Sequence, residues 1–272
     1  MTAANHTLKR MAVLAGALAA LVGPLAARAG EAMSTDRPDF VEASDVVGRG
    51  RVQIETGYVS ERSAAGGIKS RTQTTPTLLR FGVSDALELR VETEGFVRSR
   101  TQDPASGTTR RERGFSDVSL GVKWHTQEAD EKTGTPGLAW LWHVDIDSGS
   151  RAFRGQGLRP SLRAVAEWDL PNDFSVGVMP GLVADKNTEG KRFFAAILAV
   201  TLSKELAPRW HGFVELAGQR LASRRNGGSV VTFDTGVACL LSDSLQLDFS
   251  VARGLTSYSP DFQWGVGVSV RF

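Results

Sequence analysis

From Leu87 the chain reads Leu87, Leu89, Val91 against Glu88, Arg90, Glu92, Glu94, apolar and charged residues taking turns. Successive side chains of a strand point to opposite faces, so a period of two predicts a sheet with one apolar and one polar face; no helix sorts residues this way. The alternation returns in Val118, Leu120, Val122, Trp124 against Ser119, Gly121, Lys123, His125. It returns again in Leu245, Leu247, Phe249, Val251 against Gln246, Asp248, Ser250, Ala252. Applied along the chain, the pattern predicts twelve strands, at 51–60, 72–83, 86–97, 114–125, 137–147, 157–169, 174–184, 192–203, 209–219, 229–241, 245–254 and 262–272. Each has about the length with which a tilted strand crosses a bilayer core, ~9–11 residues. The links alternate too. Those at 61–71, 98–113, 148–156, 185–191, 220–228 and 255–261 read as long polar loops, and most of the others as tight turns, such as Ser84-Asp85 and 242–244, with 126–136 a longer exception.

This predicts an all-β fold, a transmembrane antiparallel up-and-down β-barrel of about 12 strands. A soluble barrel or sandwich shares the alternation with its apolar face turned inward. Twelve strands in one ring enclose more room than side chains readily fill, since about eight already give a packed interior. The apolar face also carries Trp124, Trp140, Trp168, Trp210 and Trp264 near strand ends, as interfacial girdles do.

The first 29 residues read as a secretory signal: Lys9 and Arg10, an uncharged run from Met11 to Ala27, then the small-x-small triplet Ala27-Arg28-Ala29. Cleavage near Ala29 leaves segment 30–49 and a barrel over 50–272. Removing the signal takes away three basic residues and no acid, so the net charge of +2 becomes −1. A near-neutral chain gives no support to nucleic-acid binding, which would need a basic patch or stripe. A lone cysteine, Cys239, rules out an internal disulfide and reads as a small apolar filler on the lipid face.

The last strand alternates Phe262, Trp264, Val266, Val268, Val270, Phe272 with Gln263, Gly265, Gly267, Ser269, Arg271. Its terminal aromatic, Phe272, looks like the signal read by the barrel-assembly machinery. With the start Ser34-Thr35-Asp36-Arg37-Pro38-Asp39-Phe40, the stretch from Gly50 to Tyr58, Leu79 to Val83, Gly114-Phe115-Ser116-Asp117 and the ending Leu247 to Phe272, the chain resembles the outer-membrane transporter family named for the meta-cleavage pathway of phenol degradation. The resemblance covers nearly all of the chain beyond the signal. It implies an outer-membrane barrel of a Gram-negative bacterium that passes small, often aromatic or hydrophobic, solutes, and it brings no catalytic residues.

With the apolar face toward lipid, the expected lumen-lining residues are Glu55, Arg80, Glu88, Arg90, Glu92, Glu94, Lys123, His143, Asp145, Arg159, Arg163, Glu167, Glu215, Asp234, Asp248 and Arg271, with His211 at a further inward position. Buried charges need partners, so most of these are expected to pair across the wall while some line a solute path; the acidic run at Glu88–Glu94 is either completed by Arg80, Arg159 or Arg163 or left to favour cations. The segment 30–49, with Asp36, Arg37, Pro38, Asp39 and Phe40, either hangs in the periplasm or folds into the barrel as a plug. Enzymatic and metal readings are weak. The histidines left after the signal, His125, His143 and His211, face the lumen, away from a lipid substrate, and no G-x-S-x-G elbow is present. Asp145-Ile146-Asp147-Ser148-Gly149 lacks the closing Glu of a calcium loop, having Gln156 instead. No cofactor and no metal are expected. The sequence thus favours a monomeric channel for a small-molecule solute, partnered by outer-membrane lipid and lipopolysaccharide. Its rival is a non-conducting structural barrel that presents Arg98, Arg100, Arg110, Arg111, Arg113, Arg220, Arg224 and Arg225 to such lipids or to partners.

Overall fold

The computed structural model describes residues 32–272, so the expected signal at 1–29 lies outside the described residues. The strands are β1 Val52–Ala65, β2 Ile68–Thr74, β3 Thr77–Gly82, β4 Leu87–Thr93, β5 Phe96–Asp103, β6 Thr108–Phe115, β7 Val118–Gln127, β8 Gly137–Ile146, β9 Arg159–Leu170, β10 Phe174–Lys186, β11 Arg192–Ala207, β12 Trp210–Leu221, β13 Val230–Ser242, β14 Leu245–Gly254 and β15 Phe262–Arg271. All lie in one antiparallel sheet that closes on itself where β1 pairs with β15, from Gln53 opposite Arg271 to Arg62 opposite Phe262. Closure leaves no open edge in the bilayer, which is how strands can span it.

Three wall strands are broken in two. Pro76, which has no N–H to give a ladder, separates β2 from β3. Gly95, with φ +65°, separates β4 from β5, and a Cβ there would lie 2.3 Å from the Thr75 carbonyl oxygen. Ser116-Asp117 separates β6 from β7. With each broken pair counted as one, twelve strands form the ring.

The expected long loops at 61–71 and 98–113 are instead strand. β1 pairs β2, β2 pairs β5 and β5 pairs β6 in a four-stranded extension beyond the ring. Gly66 and Gly67, with φ +58° and +81°, make the tight turn between β1 and β2. The extension carries polar residues on both faces, so apolar alternation ends where the bilayer ends while the backbone pairing continues.

Leu79, Phe81, Leu89, Val91, Leu120, Leu198, Leu216 and Leu247 point outward and are exposed. Trp124, Trp140 and Trp210 join them toward the rim that holds the short turns, and Trp142 midway along β8. Inward lie buried Gln53, Glu55, Arg80, Glu88, Arg90, Lys123, His143 and Glu215. The inner face is not polar all round. Leu141, Val165, Met179, Ala199 and Ala217 of β8–β12 form an apolar half, packed against Val41 and Phe40. Among the described residues no helix is long and apolar enough to cross a membrane.

Candidate lumenal site

Residues 33–49 run inside the ring. The Met33 N–H donates to the Asp243 carbonyl (2.9 Å) at the short-turn rim, and the chain returns to that rim where the Gly50 N–H meets the Gly82 carbonyl (2.8 Å). A segment without regular structure cannot bury its backbone donors unpaired. Inward carboxylates of the wall accept them. Asp36 N–H donates to Glu55 (3.0 and 3.2 Å), Phe40 and Val41 N–H to Glu215 (2.9 and 2.7 Å), Val47 N–H to Glu88 (3.0 Å), and Ser44 N–H to Glu167. Wall donors in turn take its carbonyls. Gln53 and Arg80 reach Ser34 (2.8 and 3.1 Å), Arg80 also reaches Asp45 (2.9 Å), and Lys123 reaches Ala43 (2.8 Å). A ring nitrogen of His125 lies 2.9 Å from the Ser44 carbonyl.

Asp36 sits among three cations, 2.7 Å from Arg90, 2.9 Å from Lys123 and 3.6 Å from Arg80. Burial would raise its carboxyl, but Arg80, Lys123 and Arg90 outweigh that and hold it well below the ordinary carboxylate range. The pairs continue through the wall: Arg80 with Glu55 (3.1 Å) and Glu88 (2.9 Å), and Arg90 with Glu42 (2.7 Å), Glu92 (2.8 Å) and Glu88 (2.9 Å). His143 approaches Glu92 (3.1 Å) across Gly121, where a Cβ would stand 2.0 Å from the imidazole. Arg37 pairs with Asp248 at 2.9 Å.

The wall is bare where the segment lies against it. A Cβ on Gly57 or Gly267 would meet the Arg37 guanidinium at 2.8 or 2.4 Å. On Gly82 it would meet the Gly48 carbonyl oxygen at 1.8 Å, on Gly137 the Ser44 hydroxyl at 2.7 Å, and on Gly177 the Val41 side chain at 2.9 Å.

Beside the segment a cavity of about 520 Å³ opens, bounded by Asp36, Arg37, Asp39, Phe40 and Glu42 of the segment and by Arg90, Glu92, Glu94, Asp145, Arg159 and Arg163 of the wall. Glu94 is exposed there. Arg163 does not complete the Glu88–Glu94 run; it pairs with Glu42 (2.7 Å) and its guanidinium lies 6.0 Å from the Phe40 ring. Arg159 bridges Asp117 (2.8 Å) and Asp145 (3.3 Å), so the Asp145 stretch is occupied by an arginine. Asp147 faces Arg154 at 3.6 Å. Asp234 takes the Thr232 hydroxyl (3.0 Å). Arg271 lies opposite the inward Gln53 at the short-turn end of β15 and donates to the Asp243 carbonyl (3.2 Å). Phe272 is 37% exposed. The sequence does not single out Gln53 or the five contact glycines. Their signal is inward parity, which picks out small residues as readily as charged ones. Among the described residues no group of His, Cys, Asp and Glu is arranged to hold a metal ion.

A closed ring of twelve antiparallel strands, apolar outside and largely charged within, defines a transmembrane β-barrel of the outer-membrane type. Residues 35–272 match the family described as "Putative MetA-pathway of phenol degradation", and the chain belongs to it. In structure it is similar to the COG4313 outer membrane channel from Pseudomonas putida F1, at TM-score 0.58 and 14% identity over 84% of this chain and 98% of that one. It is also similar to the beta domain of the Bordetella autotransporter BrkA, at TM-score 0.51 and 12% identity over 81% and 98% of the two chains. The KdgM porin in complex with disordered oligogalacturonate gives TM-score 0.50 and 11% identity over 81% and 99%. No curated protein matches the chain.

Proposed function

We propose that this protein is an outer-membrane channel for small molecules, closed at rest by residues 33–49, the described part of the expected 30–49 plug. The observation that carries the reading is the seat itself: four wall carboxylates, on Glu55, Glu88, Glu167 and Glu215, are spent on backbone N–H groups of one non-regular segment. A barrel with a purely structural role has no need of a wall fitted to a removable part. The segment also covers the apolar half of the lumen, through Phe40 and Val41. Its withdrawal would expose Leu141, Val165 and Met179 beside the charged half, a lining suited to solutes with an aromatic or aliphatic body and a polar group. That solute class agrees with the phenol-degradation description of the family.

In this reading residues 1–29 are the export signal, cleaved near Ala29, and Phe272 is the mark read by the barrel-assembly machinery. The protein is a monomer and not an enzyme. Against an enzyme, the buried wall histidines are engaged within the wall and the seat, His125 with the Ser44 carbonyl and His143 with Glu92. Planar bilayers test the reading. Wild type is expected to conduct in rare, brief events, and a variant lacking 30–45 in a steady, larger current. A silent deletion variant with the normal heat-dependent gel shift removes the channel and leaves a structural barrel. Unchanged conductance removes the plug.

A further inference from the structure

The extension of β1, β2, β5 and β6 carries a feature the channel does not use. Across those four strands Arg62 stands opposite Arg71, Arg71 opposite Arg100, and Arg100 opposite Arg111. Directly opposed residues share a face, so four guanidinium groups form one row, ~14 Å long at the usual strand spacing. One strand step toward the bilayer, Arg98 is opposite Arg113. All six arginines are exposed. The row continues around the barrel, because Arg62 is opposite Phe262 and Phe262 is opposite Arg253.

This is the outer face of the barrel, not its mouth. Phe262 shares the row, and two steps lower on the same face Phe96 packs edge-on against Phe115, which is 62% exposed. Arginines therefore lie directly above an aromatic belt, at the height of lipid headgroups. Like charges directly opposite one another destabilise a sheet, and four in a row without an acid between them call for an anion from outside. Among the described residues no ion pair is made by Arg62, Arg71, Arg98, Arg100, Arg111 or Arg113, and Arg71 reaches just the Ser60 hydroxyl (3.2 Å). On the opposite face of the same extension, Arg110 has its own acid, Glu112, at 2.7 Å. The neutralised arginine is thus on one face and the bare ones on the other.

We infer that this row is a binding site for the phosphate groups of a phosphorylated glycolipid, the lipopolysaccharide of the outer leaflet. Guanidinium forks bind phosphate in pairs of parallel hydrogen bonds, and a row of them holds a headgroup carrying more than one phosphate. The acyl chains would then lie against Phe96, Phe115 and Trp264. The inference rests on the outer-membrane reading, with the long-loop rim facing outward.

The test compares wild type with Arg62→Ser/Arg71→Ser/Arg100→Ser/Arg111→Ser, purified in one detergent from one strain, by the lipopolysaccharide each retains per barrel. At least a tenfold loss is expected, with the heat-dependent gel shift kept and Arg110→Ser retaining the wild-type amount. If the fourfold variant does not fold, Arg71→Ser/Arg100→Ser is used and a severalfold loss is expected. Added back to delipidated wild type, lipopolysaccharide should bind and its dephosphorylated form should not. Equal retention by variant and wild type, equal binding of the dephosphorylated lipid, or equal competition by phosphatidylglycerol micelles overturns the site. Conductance in bilayers free of lipopolysaccharide reads the channel separately, so either proposal can fail alone.

Discussion

The Arg37 guanidinium donates two hydrogen bonds to the Asp248 carboxylate, from Nε at 3.2 Å and Nη2 at 2.9 Å, where Gly57 and Gly267 leave the wall open for it. Asp248 is fully buried at its side chain and Arg37 is 17% exposed at its own. This pair ties the segment 33–49 to β14, which reaches β1 of the Asp36 cluster through β15. Removing one partner of a buried pair costs roughly 3 kcal/mol, because the other is left uncompensated. At about 1.4 kcal/mol per decade, that shifts the seated population about a hundredfold. Asp248→Ala is therefore expected to lengthen and multiply open events in single-channel records while the barrel still folds. Records like those of wild type would show that this pair does not hold the segment.

Gly267→Ala tests the same seat without removing a charge. The new methyl would fall 2.4 Å from Arg37 Nε and 2.5 Å from an Asp248 oxygen, so the arginine has to leave. Open probability is expected to rise as for Asp248→Ala, and the double variant to add little to either single change. Fully additive effects would mean that glycine and aspartate act on different things.

Closure is expected to depend on pH through Asp39. Burial first, then the nearby Glu167 and Asp36 carboxylates, push its carboxyl up to about 7, against a hydrogen bond with its own backbone. A carboxyl raised on seating binds its proton more tightly in the seated state than free, where it titrates near 4. Seating is then favoured below that range and weakens as pH rises from about 4 to 7, after which it levels off. Open probability should climb from pH 5 to pH 7.5 in wild type. In Asp39→Asn the climb should flatten. An unaltered pH profile in that variant assigns the dependence to another group.

The strands were legible because the bilayer imposes one requirement on every one of them, an apolar outer face. Leu198, Val200 and Leu202 obey it as visibly as Leu87, Leu89 and Val91. Inside the ring no such common requirement acts. Arg80, Arg90 and Lys123 are foreseeable as inward residues from parity alone. Their shared partner Asp36, more than forty positions upstream of Arg80, is set by where the segment threads, which no periodicity encodes. The apolar inner half was hidden for a similar reason. In β11, inward Ala195, Ile197 and Ala199 alternate with outward Phe194, Leu198 and Val200, so both faces are apolar and the contrast that marks a lumen vanishes. The paired strands at 61–71 and 98–113 were missed because outside the bilayer both faces can be polar.

The lipid-facing register makes a depth-resolved prediction on β11. Leu198 lies in the body of the strand and Leu206 at its short-turn end; both point outward, 48% and 58% exposed. An arginine facing lipid near the midplane costs ~2–4 kcal/mol, against ~0–1 kcal/mol near an interface where its side chain reaches water. Leu198→Arg should therefore lower the unfolding free energy in lipid vesicles by ~2–4 kcal/mol, and Leu206→Arg by under ~1 kcal/mol. Ala199 next to Leu198 is buried inward, so a register slipped by one would put Leu198 in the lumen and make its arginine variant cheap. Denaturant titration of the two variants in the same vesicles distinguishes these outcomes, and equal losses would rule out the register described.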